Sequence, residues 1–235
     1  YLGGESDVSS IVMYMESLTN FRKFMSASRA VSRVKPIIVL KAGRTQAGAL
    51  AAASHTGAMA GEDSVYDAAF QRAGVLRVKT FEELFDCAEL LAKQPKPAGP
   101  GLAIITNAGG PGVMAADALA DYGYEPATLS AETFQKLDEI LPPYWSKRNP
   151  IDMLGEAKAE LYRKVVEICL NAKEVKGLLI MSAPQALSDT AEVAAALVEL
   201  IREKPIPIIT SWVGGADIQK GRDIFNQAGI PTFDT

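Results

Sequence analysis

Two stretches of the chain repeat the same order of segments, and this repeat limits the folds that the sequence can adopt. Residues 11–17 (IVMYMES) correspond to residues 178–184 (LLIMSAP), and a segment with helical spacing of apolar residues follows each. Short β-rich apolar runs bounded by Gly and Pro alternate with such helical segments along the chain. This alternation is typical of parallel sheets covered by helices, so we predict an α/β fold of two related domains.

The predicted strands coincide with the apolar runs, and a Pro-rich segment separates the domains. We predict a boundary within residues 93–101 (KQPKPAGPG), because three prolines and two glycines in nine residues suit neither a helix nor a central strand. The expected domains are residues 1–94 and 101–235. The expected strands span residues 10–16, 37–42, 75–78, 102–106, 124–128, 177–182 and 207–211.

The first copy of the repeat is longer than the second. Residues 35–37 (KPI) match 204–206 at an offset of 169, whereas residues 70–75 (FQRAGV) match 225–230 (FNQAGI) at an offset of 155. The first copy therefore carries 14 additional residues between positions 36 and 69. They fall in a stretch rich in Gly, Ala, Ser and Thr, which we predict to be a loop. Insertions on a repeated scaffold often carry the function.

The repeat also leads us to expect domains that are incomplete at both chain ends. Residues 101–175 contain two strand–helix units without a counterpart before residue 1. Thr80, which opens a predicted helix, corresponds to Thr235, the last residue. We therefore expect the first domain to be truncated at its N-terminus and the second to lack its last helix.

Composition narrows the classes of partner. With 24 Lys+Arg, 28 Asp+Glu, a formal net charge of -4 and no basic run, we predict no nucleic-acid binding. No apolar run approaches the roughly 18 residues of a membrane-spanning helix, which leads us to expect a cytoplasmic protein. Cys87 and Cys169 lie in apolar helical patterns without a pairing spacing. We predict buried thiols there and no metal site.

His55 is the only histidine of the chain and lies in the additional segment, flanked by Ser54, Thr56 and Gly57. The segment follows a predicted strand, and open α/β sheets bind ligands at the carboxyl ends of their strands. A neutral imidazole can attack an electrophile such as a phosphoryl group. A histidine without a chemical role is the alternative, and the residues alone leave both open.

Three charged residues flank the same predicted sheet edge. Glu16 ends the first strand, where a carboxylate can accept the second ring N–H of a histidine and fix its tautomer. A solvated acid is the alternative. Lys41 and Arg44 follow the next strand, where they either neutralise a phosphate or stand as exposed cations.

Two further loops follow predicted strands in the second domain. Residues 107–112 (NAGGPG) open a helix, so the N–H groups of Gly109 and Gly110 could hold an anion, although a tight turn explains the motif equally well. Ser182-Ala183-Pro184 holds the place of Glu16 in the second copy, and a helix cap is the alternative there. We interpret residues 149–152 (NPID) as a loop locked by Pro.

Seven segments occur in a recognisable order over essentially all 235 residues: YMES, KAGRT, ASHTGAMAGED, FQRAG, TNAGGPGVMAADA, NPIDM and IMSAP. Together they closely resemble the NDP-forming acyl-CoA synthetases, the ADP-forming acetyl-CoA synthetase branch of the succinyl-CoA synthetase superfamily. The resemblance implies two flavodoxin-like domains with parallel sheets. It also implies a preceding CoA-binding Rossmann domain and an ATP-grasp domain that is fused or supplied by another subunit.

The resemblance also implies roles for individual residues. His55 matches the histidine that carries a phosphoryl group between an acyl phosphate and a nucleotide, and Glu16 matches the acid that hydrogen-bonds it. Residues 182–184 match the loop before one of two helices whose N-termini cradle the phosphohistidine, and residues 107–110 match a neighbouring glycine loop. The implied phosphate-binding residues are Ser54, Thr56, Gly57, Gly109, Gly110, Ser182, Ala183 and Pro184.

The implied reaction interconverts acyl-CoA, ADP and phosphate with a carboxylic acid, ATP and CoA. CoA, ATP or ADP and Mg²⁺ are then bound mainly by the further domains, and we expect an oligomer. The acyl group and the choice between ADP and GDP stay open. One alternative is an acyl-CoA-sensing regulatory module of a protein acetyltransferase, against which the presence of His55 counts. Another is a non-catalytic flavodoxin-like binding domain.

Overall fold

A computed structural model describes residues 1–56 and 62–233 of the chain, without the side chains of His55 and Thr56. The chain divides into two compact units, Tyr1–Ala92 and Lys93–Thr235. Both consist of parallel strands connected by helices, as the sequence predicted.

The first unit holds a three-stranded parallel sheet of order β1-β2-β3. All five residues of the central strand β2 are buried, which explains its continuous apolar run. One sheet face packs on α1 and α3, and the other packs on α4. The elements are β1 (Ile11–Met15), α1 (Phe21–Val31), β2 (Ile37–Lys41), α2 (Gln46–Thr56), α3 (Asp63–Ala73), β3 (Leu76–Val78) and α4 (Phe81–Lys93), after a short 3-10 helix (Leu2–Gly4).

The second unit holds a five-stranded parallel sheet of order β5-β4-β6-β7-β8. Its core includes Trp212, whose ring meets Phe225 edge-on at 4.6 Å between centroids and whose Nε1 donates to the carbonyl of Thr190 at 3.0 Å. The elements are β4 (Leu102–Thr106), α5 (Gly109–Asp121), α6 (Ala131–Ile140), β5 (Ile151–Asp152), α7 (Ala159–Leu170), β6 (Gly177–Ser182), α8 (Thr190–Ile201), β7 (Ile208–Trp212), a 3-10 helix (Gly215–Ile218), α9 (Gln219–Gln227) and β8 (Thr232–Phe233).

The internal repeat is visible in the structure. The series β1-α1-β2-α3-β3 has the same order and the same parallel pairing as β6-α8-β7-α9-β8. Residues 42–62 connect β2 to α3, whereas residues 213–218 suffice between β7 and α9. The longer connection contains α2. The additional residues of the first copy therefore lie where the sequence comparison put them.

The structure corrects several predictions. The predicted strand at 124–128 is irregular, because Pro126 cannot donate to a ladder and a single bond from the Ala127 N–H to the Leu102 carbonyl joins it to β4. The predicted loop at 149–152 ends in the short strand β5. Cys169 is buried as predicted, and burial raises its pKa to about 12, but Cys87 is only half-buried because it lies at the rim of the α4 packing.

The additional segment is not the loop that its small residues predicted. Residues 46–56 form α2, since Ala has the highest helix propensity and occurs five times between Gln46 and Ser54. Thr45 caps this helix by accepting the Gly48 N–H at 3.2 Å. Among the described residues no helix is both long and apolar enough to cross a membrane.

Candidate functional site

Glu16 lies at the carboxyl edge of the first unit's sheet, as predicted. It follows Met15, which is the register partner of Lys41, and the N–H of Ala42 donates to the Met15 carbonyl at 2.9 Å. The hydroxyl of Tyr14 donates to Oε1 of Glu16 at 3.3 Å. Partial desolvation and the Glu16 charge raise the pKa of the Tyr14 hydroxyl. Glu16 thus follows the end of β1, next to the end of β2, and its carboxylate accepts a hydrogen bond from Tyr14.

Lys41 is buried at this edge, with 1% of its surface exposed, so the alternative of an exposed cation is wrong for it. Its Nζ lies 4.5 Å from the centroid of the Tyr66 ring and donates to the carbonyl of Ala42. Burial lowers the pKa of Lys41, and the carboxylates of Asp63 and Glu16 oppose this shift. Arg44, by contrast, is exposed.

The backbone of His55 belongs to the last turn of α2, while its side chain, that of Thr56 and all of Gly57 lie outside the described residues. The hydroxyl of Ser54 donates to the carbonyl of Ala51 at 2.7 Å, within the same helix. Every residue from 46 to 54 is at least partly exposed, so the described part of α2 adds nothing to the core. The helix leaves the sheet through Gly43, whose φ of 71° favours glycine.

In the second unit, Asn107 joins the loops that follow β4 and β6. Its Nδ2 donates to the carbonyl of Ala183 and its Oδ1 accepts the Ala183 N–H, both at 2.9 Å. The side chain thus extends the pairing of the two strands past their ends. No local sequence pattern indicates this contact, because its partners lie 76 positions apart.

The start of α5 is an uncapped helix N-terminus. Gly109 and Gly110 are its first residues, and Ala108 at the cap position has no side-chain acceptor. The first N–H groups of an α-helix have no partner within the helix, and no side chain caps those of α5. Oδ2 of Asp152 lies 3.1 Å from a Cβ placed at Gly109, which puts one carboxylate beside the same end.

The helix that follows Ser182-Ala183-Pro184 is capped by its own chain. Asp189 precedes α8 and accepts the N–H groups of Ala191 at 2.8 Å and Glu192 at 3.3 Å. Ser182 itself is 1% exposed at the end of β6. The Asp189 carboxylate therefore occupies the positive end of α8, as expected for an N-cap residue.

We predict that Asn107→Asp destabilises the second unit by about 1–3 kcal/mol, because aspartate keeps the acceptor for the Ala183 N–H but leaves the Ala183 carbonyl without its donor. Denaturant unfolding monitored by Trp fluorescence measures the effect. The exposed Asp121→Asn, at the end of α5, is the matched control and should stay within ~0.5 kcal/mol of the parent. Equal midpoints for both variants would contradict the assigned hydrogen bonds.

The chain contains two parallel α/β units that repeat one topology, and the first unit has an additional helix. The chain is therefore a pair of flavodoxin-like domains. Residues 1–91 match the succinyl-CoA ligase-like flavodoxin domain, and residues 102–235 match the Ligase-CoA domain. The chain belongs to the succinyl-CoA ligase superfamily, in its branch of ADP-forming acyl-CoA synthetases. The family and fold predicted from the sequence motifs are thereby confirmed.

Curated and solved relatives agree with this assignment. The chain is 40% identical to the ADP-forming acetate–CoA ligase I of Archaeoglobus fulgidus over 99% of its own length and 33% of that protein. It is 37% identical to the alpha subunit of the ADP-forming acetate–CoA ligase I of Pyrococcus furiosus, over 97% of its length and 50% of that subunit.

A solved structure is similar over nearly the whole chain. It is the dinucleotide-forming acetyl-coenzyme A synthetase 1 of Candidatus Korarchaeum cryptofilum, in complex with phosphate and ADP. The TM-score is 0.93 at 33% sequence identity, over 99% of this chain and 51% of that one. The chain thus spans a third to a half of the length of these relatives.

Proposed function

We propose that this chain is the phosphohistidine-carrying part of an ADP-forming acid–CoA ligase. The observation that supports this most is the placement of His55 at the end of α2. This helix has no buried residue from 46 to 54 and follows β2 at the sheet edge where Glu16 also lies. A histidine on such an arm can change its position without disturbing the core. The relatives at 37% and 40% identity are by name ADP-forming acetate–CoA ligases.

The proposed reaction has three steps. Phosphate attacks the thioester of an acyl-CoA, which gives an acyl phosphate and the CoA thiol. A neutral ring nitrogen of His55 then attacks the phosphorus, the P–O bond to the acyl group breaks, and the carboxylate leaves. The phosphoryl group finally passes from His55 to ADP, which gives ATP and restores the imidazole. Each step is reversible.

Glu16 is proposed to support the histidine. Its carboxylate would accept the N–H of the ring nitrogen that is not phosphorylated, which fixes the tautomer and offsets the positive charge of the phosphorylated ring. Tyr14 restricts the carboxylate through its hydrogen bond to Oε1. In the second unit, the N–H groups of Gly109 and Gly110, at the uncapped start of α5, are proposed to bind a phosphate or phosphoryl oxygen.

The whole reaction is proposed to require the CoA-binding and ATP-grasp domains that the family resemblance implies, in an oligomer with a cytoplasmic location. A small carboxylic acid and its acyl-CoA are the proposed substrates. Within residues 1–56 and 62–233 no three His, Cys, Asp or Glu side chains are grouped to hold a metal ion. We therefore assign no step to Mg²⁺ on this chain.

We predict that Glu16→Gln slows phosphorylation of the complete enzyme by one to a few orders of magnitude, the range typical of positioned acid–base groups. The amide keeps the shape of the carboxylate but cannot offset the charge of the ring. Rapid-quench labelling with ATP and magnesium measures the rate. The exposed Glu82 on α4 provides the control Glu82→Gln, and equal rates for the two variants would reduce Glu16 to a solvated strand end.

A further inference from the structure

The proposed reaction leaves one buried charge at the site unexplained. Lys41 ends a strand whose other residues, Ile37–Leu40, are apolar, and only 1% of its surface is exposed. Burial of an ammonium group costs free energy unless neighbouring groups compensate for it. A lysine in this place therefore needs either strong partners or a function.

The partners of Lys41 compensate its charge only in part. Its Nζ lies over the Tyr66 ring at 4.5 Å and donates to the Ala42 carbonyl. The carboxylates of Glu16 and Asp63 attract it, and the guanidinium of Arg77 repels it. Asp63 is shared with Arg77, which binds it at 2.6 Å, and Glu16 adds a second attractive charge.

The groups that surround Lys41 also hold the chain on both sides of Glu16. Just before Glu16 in the chain, the carbonyl of Met15 accepts the Ala42 N–H at 2.9 Å. Two residues after Glu16, the N–H of Leu18 donates to the hydroxyl of Tyr66 at 3.2 Å, and the Lys41 ammonium lies over the ring of that tyrosine. One continuous set of contacts therefore flanks Glu16 along the chain. It consists of the Lys41 ammonium, the Tyr66 ring and the two hydrogen bonds to the backbone of Met15 and Leu18.

We propose that Lys41 is a positioning residue, which holds the Glu16 segment in place through Tyr66 and Ala42 and attracts the Glu16 carboxylate toward the end of β2. The role of Lys41 in phosphoryl transfer rests on the proposed function, whereas its contacts with Tyr66 and Ala42 do not depend on that function. It accounts for a buried lysine at a sheet edge where an apolar residue would pack without the cost of desolvation.

Lys41→Met tests the proposal, because methionine fits the buried position without a charge. In the complete enzyme we expect phosphorylation of His55 to slow by about 10- to 100-fold, as for a misplaced catalytic group. In the 235-residue chain we expect faster amide hydrogen exchange at Leu18, without a loss of unfolding stability at pH 7. Lys79→Met, an exposed lysine just beyond β3, is the control and should change neither quantity.

The pH dependence of stability gives a second readout. Because burial lowers the pKa of Lys41, the unfolded chain binds more protons than the folded chain between that lowered value and the ordinary pKa of about 10.4. Wild-type stability should therefore rise with pH in this alkaline window relative to Lys41→Met, whereas Lys79→Met should follow the wild type. The facing charges of Glu16, Asp63 and Arg77 are common to all three proteins.

The outcomes separate the two proposals. Failure of the wild-type enzyme to phosphorylate His55 would overturn the proposed function, while the exchange of Leu18 would still decide the positioning role. A phosphorylating enzyme in which Lys41→Met and Lys79→Met have equal rates and equal Leu18 exchange would overturn the role of Lys41. A Lys41→Met protein that loses stability at pH 7 and shows no exchange change specific to Leu18 would reduce Lys41 to a structural residue.

Discussion

Deletion of residues 45–58 should abolish turnover of the complete enzyme and leave its fold nearly as stable as before. None of the described residues 46–54 is buried, and the second unit makes the equivalent connection with residues 213–218 alone. Shortening a connection by 14 residues changes its closure entropy by only a few tenths of a kcal/mol to about 1 kcal/mol. Activity is lost because the segment carries His55.

Thermal unfolding of the parent chain and the deletion variant measures this effect, with circular dichroism as the probe. We expect the midpoints to agree within about 5 °C, since 1 kcal/mol shifts the midpoint of a small domain by roughly 4–8 °C. A fall of more than about 10 °C would show that the segment packs as part of the core. The additional residues would then be part of the folded core rather than a carrier of His55.

His55→Asn should reduce turnover of the complete enzyme to background, a loss of ~10⁴-fold or more, as expected when the nucleophile of a covalent mechanism is removed. Asparagine is polar and of moderate size, but it cannot form a phosphoramidate. Leu50→Ala is the matched control, because Leu50 lies on the same helix with 68% of its side chain exposed. We expect Leu50→Ala to turn over at the wild-type rate, and a common loss in both variants would point to the helix rather than to the imidazole.

Much of the fold could be predicted from local sequence patterns. The long apolar runs of β2, β4 and β6 lie in the middle of parallel sheets, where burial on both faces requires continuous apolar residues. The strands β5 and β8 were missed because two residues do not make a detectable run. The prediction of a loop at α2 failed because glycine and serine were given more weight than the alanines between them.

Less of the candidate site than of the fold could be predicted from the sequence. The chemistry of His55 and Glu16 followed from residue type and position at a strand end, and the family resemblance made it specific. Only the position of Lys41 at the end of the apolar run IIVLK indicated that its side chain is buried. The contacts of Asn107 with Ala183 and of Leu18 with Tyr66 join residues 76 and 48 positions apart, so they depend on the tertiary fold.

Locating the phosphate on the complete enzyme decides whether His55 carries a phosphoryl group. The enzyme is incubated with radiolabelled ATP and magnesium, digested under alkaline conditions, and the labelled peptide is identified by mass spectrometry. We expect an acid-labile, base-stable phosphate on the peptide that contains His55, and no label in His55→Asn. An acid-stable phosphate, or a label that persists in His55→Asn, would contradict it.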